Sequence, residues 1–151
     1  EVQQSAPGRV LVFKLGGQAK LPESSPKPLV IDPPDLVASD AEISKGLGLY
    51  NQHCMRCHGV GAVSQGLVPD LRAMTRTTHD IFDAIVLEGV LAPVGMIGFK
   101  DVLTPAESEM IRQFLIQTAH KQQDLDNESN TWRAFRTWWF DQFGWLAEKM
   151  I

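Results

Sequence analysis

Cys54-Met55-Arg56-Cys57-His58 is the stretch of this 151-residue chain that decides how it folds. It contains both cysteines of the sequence, and a histidine directly follows the second one. A disulfide-stabilised secreted domain would use more cysteines, spread along the chain. A structural zinc site usually needs a second ligand pair, and no second Cys-x-x-Cys is present. We therefore expect the two thiols and the imidazole to act together at one local site.

The spacing Cys-x-x-Cys-His is the attachment signature of c-type haem. The two thiols add across the two vinyl groups of the porphyrin, and the adjacent imidazole is then held at the iron. The sequence thus predicts one covalently bound haem c, anchored by Cys54 and Cys57, with His58 as the first axial ligand of the iron.

Two other uses of the motif stay open. A thioredoxin-type redox pair belongs in a βαβ unit, and the sequence around the motif shows no such alternation. Zinc would require two further ligands, which His53 together with His79 or His120 could supply.

The second axial ligand of an electron-carrying haem is usually Met or His, and Met raises the reduction potential. Met96 is the first choice. Pro93, Gly95 and Gly98 around it argue against a helix and for a loop that could bring its thioether to the iron. Met74, after the turn that begins at Pro69, is the fallback.

The remaining candidates for this ligand are set aside by their position. His79 and His120 would give bis-histidine ligation, but both are expected near helix ends, where histidines are commonly solvated. Met110 falls on the apolar face of a predicted helix, so we expect it to pack in the core.

Helix signals dominate the region from about residue 37 to residue 122. Ser39 and Glu42 form a capping box that predicts a helix running to about His53. Thr104-Pro105-Ala106-Glu107 combines a cap, a proline at the first helical position and a second capping box. Gly46 would let a second helix approach the first closely. No convincing strand falls in this region, so we expect an all-α domain over residues 37–124.

Between these two helices the sequence predicts shorter elements. Pro69-Asp70-Leu71 begins a turn, and the apolar spacing from Thr78 to Glu88 predicts a helix. The helix that follows Thr104 carries one broad apolar face, made of Met110, Ile111, Phe114, Leu115 and Thr118.

The first 36 residues form a different kind of segment. Arg9 to Leu15 is apolar and β-prone and is followed by Gly16-Gly17, which predicts one strand. A single strand cannot pair its backbone alone, so it is expected to be the end of something larger, with an edge strand on the following domain as the alternative. Lys20 to Asp35 contains five prolines, which predicts an extended linker.

Residues 125–151 are predicted to be a linker followed by an amphipathic aromatic helix. Every tryptophan of the chain lies in this segment. So large an apolar surface is typical of an interaction site. Three destinations stay open for the face from Trp132 to Ile151. They are the larger structure to which the predicted strand belongs or a second copy of the chain, a membrane interface, and this domain's own surface.

Composition excludes several classes of function. The net charge of −4 provides no basic field for nucleic acid. No apolar run reaches the 18 or more residues that a membrane-spanning helix needs. The chain begins at Glu1 without a charged and apolar leader, so an export signal is expected to have been removed already.

The motifs together resemble a class I cytochrome c. The resemblance rests on Gly46 to Gly59, the Pro69-Asp70-Leu71-Arg72 turn, the Met96 loop and the Thr104-capped helix. Gly8 to Gly17 and the proline-rich linker are similar to the junction between propeller and cytochrome in type II quinohaemoprotein alcohol dehydrogenases. In those enzymes a propeller carrying pyrroloquinoline quinone (PQQ) oxidises an alcohol, and electrons then pass to a C-terminal cytochrome domain.

The resemblance implies a role for each matching residue. His58 would be the proximal ligand of the iron and Met96 the distal one. The carbonyl of Pro69 would accept a hydrogen bond from the His58 ring and fix its orientation. Arg72 would pair with a haem propionate, with a solvated surface arginine as the alternative. The aromatic tail departs from the family pattern and is left unexplained.

The function implied by the resemblance is electron transfer in the periplasm. A PQQ-containing dehydrogenase domain would donate the electrons, and a small redox protein or the quinone pool would accept them. PQQ itself would belong to a parent domain absent from this chain. Two alternatives stay open: a free-standing periplasmic electron-shuttle cytochrome, and a five-coordinate haem enzyme or sensor.

Overall fold

The structure is a computed structural model that describes residues 12–20, 29–64, 66 and 68–148, with side chains described as far as Trp139. Its helices are α1 (Asp40–His53), α2 (Met55–His58), α3 (Arg76–Asp80), α4 (Phe82–Val86) and α5 (Pro105–Glu148). Single 3₁₀ turns lie at Val60–Ala62, Leu71–Ala73 and Ala92–Val94. No strand occurs in the described part of the chain, which confirms the all-α prediction.

Both long helices begin at the predicted capping boxes. At α1, the Glu42 carboxylate accepts a hydrogen bond from the Ser39 backbone N–H at 2.9 Å, and the Ser39 hydroxyl accepts one from Glu42 N–H at 3.4 Å. At α5, the Glu107 carboxylate accepts from Thr104 N–H at 3.1 Å. Local sequence therefore fixes both helix starts, because each box satisfies backbone donors that the helix leaves unpaired.

The core forms where α1 crosses α5. A Cβ atom placed on Gly46 would overlap the carbonyl oxygen of Met110, so the two backbones touch at this point. One turn further along α1, the fully buried Tyr50 packs on Phe114 with ring centroids 5.2 Å apart. The predicted close approach of the two helices through Gly46 is confirmed.

The helix predicted over residues 78–88 is instead two short helices. The Thr75 hydroxyl accepts a hydrogen bond from Thr78 N–H at 3.1 Å, so α3 starts earlier than predicted. Ile81 then leaves the helical conformation, with φ −105° and ψ 20°. After this break Phe82 and Val86 enter the core, whereas Ile81 is about half exposed.

Helix α5 is continuous through residues 124–130, where the sequence predicts a linker. The segment contains neither Gly nor Pro, and its polar side chains bond along the helix: Gln122 donates to Asp126 at 2.9 Å, and Thr131 donates to the Asn127 carbonyl at 2.9 Å. At 1.5 Å per residue the 44-residue helix is about 66 Å long. Every described side chain beyond Gln123 is exposed. No helix among the described residues is long and apolar enough to cross a membrane.

The strand predicted over residues 9–15 is not found where that segment is described. Residues 12–14 have no regular secondary structure, and Gly17 N–H donates to the Lys14 carbonyl at 3.0 Å to close a turn. Residues 9–11 lie outside the described residues. A strand needs a neighbour to pair with, and the described part of the chain offers none.

The end of the predicted linker lies against α5. Three helix side chains bond its backbone: Gln113 accepts from Val37 N–H at 3.2 Å, His120 Nε2 donates to the Pro34 carbonyl at 2.9 Å, and Gln123 donates to the Ile31 carbonyl at 3.1 Å. Residues 31–37 are therefore a docked strap. The division of the chain near residue 36 stays a prediction.

Candidate functional site

The Cys-x-x-Cys-His motif forms one helical turn at the end of α1. Cys54 caps α1 by donating its N–H to the Tyr50 carbonyl at 2.8 Å, and the N–H groups of Cys57 and His58 then bond the Cys54 carbonyl. Of the two thiols, that of Cys54 is partly buried and that of Cys57 is exposed. Burial, with a contribution from Cys57, raises the pKa of Cys54 to about 11. In the described part of the chain the motif lies between helices and not in a βαβ unit, which argues against the thioredoxin-type alternative.

The His58 ring is buried and bonded to the main chain. Its Nδ1 donates to the carbonyl of Pro69 at 3.5 Å. Burial lowers the pKa of His58, and the bond to Pro69 opposes that shift only in part. The imidazole is therefore neutral near pH 7, and Nε2 is the nitrogen left to bind a metal.

Tyr50 holds the chain that leaves the motif. Its hydroxyl donates to the Gly59 carbonyl at 2.6 Å, and burial raises its pKa to about 12. Gly59 has φ +81°, and a Cβ there would overlap the Val63 carbonyl oxygen. Only glycine suits that position. The sequence carried a signal for it, namely a glycine directly after His58.

Asp70 is a buried residue whose role the sequence did not reveal. Its carboxylate accepts hydrogen bonds from the backbone N–H groups of Ser64 and Arg72, and from two guanidinium nitrogens of Arg72. Burial by itself would raise the pKa of Asp70, but the Arg72 hydrogen bonds and charge, with the two backbone N–H groups, hold it below its usual value.

Arg72 has partners within the protein. Two of its nitrogens bond Asp70, and the third, Nη1, donates to Gln122 on α5 at 2.7 Å. The pairing of Arg72 with a haem propionate stays a prediction.

Met96 lies in a closely held loop after the turn Ala92–Val94. Its N–H donates to the Leu91 carbonyl at 3.2 Å, and a Cβ on Gly98 would stand only 2.7 Å from the Leu87 carbonyl oxygen. Met96 and Met74 both pack partly buried against the core. The choice of Met96 as the second iron ligand stays a prediction.

The expectation that His79 and His120 are solvated is wrong. His79 is only 7% exposed, and its Nδ1 has no hydrogen-bond partner among the described residues. Burial, followed by the charge of Arg112, lowers its pKa to about 4. His120 is partly buried, and its Nε2 is bonded to the strap. His79 lies near Arg112 of α5, and His120 lies on α5 against the strap. Both rings are therefore covered by the packing around this helix.

The donor set fits haem c better than zinc. Among the described residues no cluster of three or more His, Cys, Asp or Glu could hold a metal ion. Two thiols at the attachment spacing beside a neutral imidazole match a haem. Cys54, Cys57 and His58 would hold it, and the bound haem would supply a one-electron iron couple.

Comparison with known families supports the same conclusion. A family model described as cytochrome c oxidase, cbb3-type, subunit III, matches residues 41–115. This segment is a cytochrome c domain. The match spans α1, the haem motif, the Met96 loop and the first part of α5, which are the elements that build the site.

Relatives of the cytochrome domain occur in alcohol dehydrogenases. The chain is 44% identical over 127 residues to quinohaemoprotein alcohol dehydrogenase ADH-IIG of Pseudomonas putida, covering 84% of this chain and 17% of that protein. It is 34% identical over 118 residues to a 1-butanol dehydrogenase (cytochrome c) of Thauera butanivorans, covering 78% and 17%.

Solved structures agree with these relatives. A quinohaemoprotein alcohol dehydrogenase structure from Pseudomonas putida HK5 superposes with a TM-score of 0.63 at 44% identity, covering 81% of this chain and 17% of that one. The enzyme from Comamonas testosteroni gives a TM-score of 0.53 at 27% identity, covering 71% and 15%. The chain thus corresponds to the cytochrome domain of such enzymes and spans about a sixth of their length.

Proposed function

We propose that this chain carries single electrons through one haem c bound covalently to Cys54 and Cys57. The observation that supports this most directly is the placement of His58. Its ring is buried, bonded through Nδ1 to Pro69 and next to the two thiols, and burial lowers its pKa. Such an imidazole can bind iron without first losing a proton. Met96 is proposed as the second ligand.

The proposed electron donor is a PQQ-containing dehydrogenase domain. The chain spans 17% of relatives that are named as quinohaemoprotein alcohol dehydrogenases, so a dehydrogenase part would accompany it in the same enzyme. A small redox protein or the quinone pool would accept the electrons, and the periplasm is the proposed location.

We also propose that the exposed end of α5 pairs with the same helix of a second copy. Leu125, Trp132 and Trp139 recur every seven residues, the spacing that suits a seam between two helices. All three are exposed, as are Phe135 and Trp138. Over residues 124–139 three acidic and two basic residues leave no positive face for an anionic membrane. The exposure of every described side chain beyond Gln123 supports pairing with a second copy over folding back onto this domain.

Absorption spectra and reduction potentials of two matched variants test the electron-transfer proposal. Met96→Ala should remove the far-red methionine-to-iron charge-transfer band, lower the reduction potential and open the iron to carbon monoxide. Met74→Ala, which truncates the other methionine packed on the core, should leave the band in place. The reverse pattern would transfer the ligand role to Met74. A parent protein without the band that binds carbon monoxide would instead indicate the five-coordinate alternative.

A further inference from the structure

Asp70 is a buried carboxylate whose hydrogen-bond partners, Ser64 and Arg72, lie within six residues of it in the sequence. It is 2% exposed. Its Oδ1 accepts from Arg72 N–H at 3.1 Å and from Arg72 Nε at 2.9 Å, while Oδ2 accepts from Ser64 N–H at 3.2 Å and from Arg72 Nη2 at 2.8 Å. A charge is stable in such a place only when it is paired and hydrogen-bonded in this way. The side chain therefore ties residue 64 to residue 72.

The tied segment carries the carbonyl that faces His58. Pro69 directly precedes Asp70, and its carbonyl accepts the Nδ1 hydrogen bond. The loop before it is closed by Ser64, whose hydroxyl donates to the Val68 carbonyl and accepts from Gly66 N–H at 2.9 Å. The ring of Pro69 restricts its own φ. On one side of Pro69, Val68 is bonded to Ser64, and Ser64 is bonded to Asp70. On the other side is Asp70 itself, so its contacts set the position of the Pro69 carbonyl.

A third residue anchors this assembly to the rest of the fold. Arg72 Nη1 donates to Gln122 Oε1 at 2.7 Å across 50 residues of sequence. Gln122 belongs to α5, the helix that crosses α1 and so fixes the start of the haem motif. A chain of contacts thus runs from α5 through Arg72 and Asp70 to the Pro69 carbonyl.

We propose that Asp70, Arg72 and Gln122 are positioning residues that hold the Pro69 carbonyl at the His58 ring and thereby set the reduction potential of the haem iron. The proposal rests on the proposed role of His58 as an iron ligand. None of the three residues needs to touch the haem to act in this way.

The direction of the effect follows from the chemistry of the ring. A hydrogen bond from Nδ1 to a carbonyl increases the basicity of the other nitrogen, which favours ferric over ferrous iron. Loosening the carbonyl should weaken that bond and raise the potential. A purely electrostatic effect would shift the reduction potential in a different pattern. Loss of the negative charge at Asp70 would raise the potential, whereas loss of the positive charge at Arg72 would not. A change at the uncharged Gln122 would leave the potential where it is.

Reduction potentials of the haem-loaded full chain separate the two explanations. We expect Asp70→Asn, Arg72→Gln and Gln122→Leu all to raise the potential, with Gln122→Leu giving the smallest shift. Asp32→Asn is the matched control, because Asp32 forms the same forked pair with Arg76 at 3.0 and 3.1 Å on the exposed surface. It should leave the potential unchanged.

A second measurement reports on the His58 hydrogen bond itself. In the same samples, NMR hydrogen exchange of the His58 Nδ1–H should be faster in Gln122→Leu than in the parent protein and in Asp32→Asn. A lowered potential in Arg72→Gln, or parent-like potential and exchange in Gln122→Leu, would overturn the proposal. The spectrum of the unsubstituted chain tests His58 as a ligand separately, so a failure of that assignment would be recognised before any variant is compared.

Discussion

The carbonyl oxygen of Met110 occupies the space in which a side chain at Gly46 would lie, and the Ile111 nitrogen would be 3.2 Å from the same Cβ. The neighbouring atoms belong to the backbone of α5, so they cannot move aside as the end of a flexible side chain could. The crossing of α1 and α5, which sets the haem motif against the core, therefore depends on the absence of one methyl group.

Gly46→Ala should destabilise the fold although alanine is the better helix former. Separating two packed helices is expected to cost about 1–3 kcal/mol in the free energy of unfolding, more than the roughly 1 kcal/mol that helix propensity returns. Gly48→Ala on the same helix is the control, because a Cβ there meets nothing within 4 Å, and it should stabilise slightly. Chemical denaturation of the haem-loaded protein measures both. Equal stability of the two variants would contradict the close approach.

Tyr50→Phe should destabilise the protein by about 1–2 kcal/mol, because it leaves a part-buried carbonyl at Gly59 without its hydroxyl donor. Thr118→Val removes a hydroxyl that bonds the Phe114 carbonyl one turn earlier in a helix. The resulting loss of stability should be within about 0.5 kcal/mol, since the Phe114 carbonyl can still accept a backbone hydrogen bond within the helix. Denaturation midpoints and slopes give the comparison, and similar losses in the two variants would remove the special role of Tyr50.

His79 should make the fold sensitive to mild acid. Its pKa of about 4 in the folded state lies below the ordinary value of 6.5, so the unfolded chain takes up the proton first as the pH falls. The stability from neutral His79 is complete above about pH 6.5 and is lost between there and about pH 4. By about pH 5 the loss is on the order of 2 kcal/mol.

The variant His79→Leu tests this linkage. Between about pH 7.5 and pH 5, the His79→Leu variant should lose less unfolding free energy than the parent chain. The difference should be on the order of 2 kcal/mol. The control Gly48→Ala changes an exposed position of α1 without adding or removing a titratable group, and it should keep the parent's pH dependence. If His79→Leu and the parent lose the same stability over this interval, His79 is not the titrating group.

Shortening the chain to end at Asn127 should leave the haem spectrum and potential unchanged, because every described side chain beyond Gln123 is exposed. The same change should abolish self-association, measured by analytical ultracentrifugation. In the full chain, Trp132→Ser with Trp139→Ser should act likewise, while the exposed Ala134→Ser, off the seam, should not. If the full chain bound phospholipid vesicles and did not self-associate, a membrane interface would be the favoured destination of the tail. If shortening shifted the reduction potential, the tail would belong to the core.

Several features of the site were predictable because their signals lie within a few residues of one another. The haem motif occupies five consecutive positions, and each capping box joins a residue to one three positions later. Gly46 with Tyr50 one turn later was a weaker signal, and the haem motif four residues further on made the helix crossing predictable. Misplaced element boundaries arose where local cues competed, as at Ile81 and over residues 124–130.

The sequence by itself determined the chemistry of this protein: two thiols and an imidazole at the spacing of a haem attachment site, between two capped helices. Only the tertiary structure decided the burial of His79, the docking of the strap on α5, and the network from Gln122 to the Pro69 carbonyl. Arg72 and Gln122 lie 50 positions apart, and a buried charge is tolerated only where distant segments bring its partners together. Pairings of that kind leave no periodicity or spacing in the sequence, because folding creates the neighbourhood that gives those residues their role.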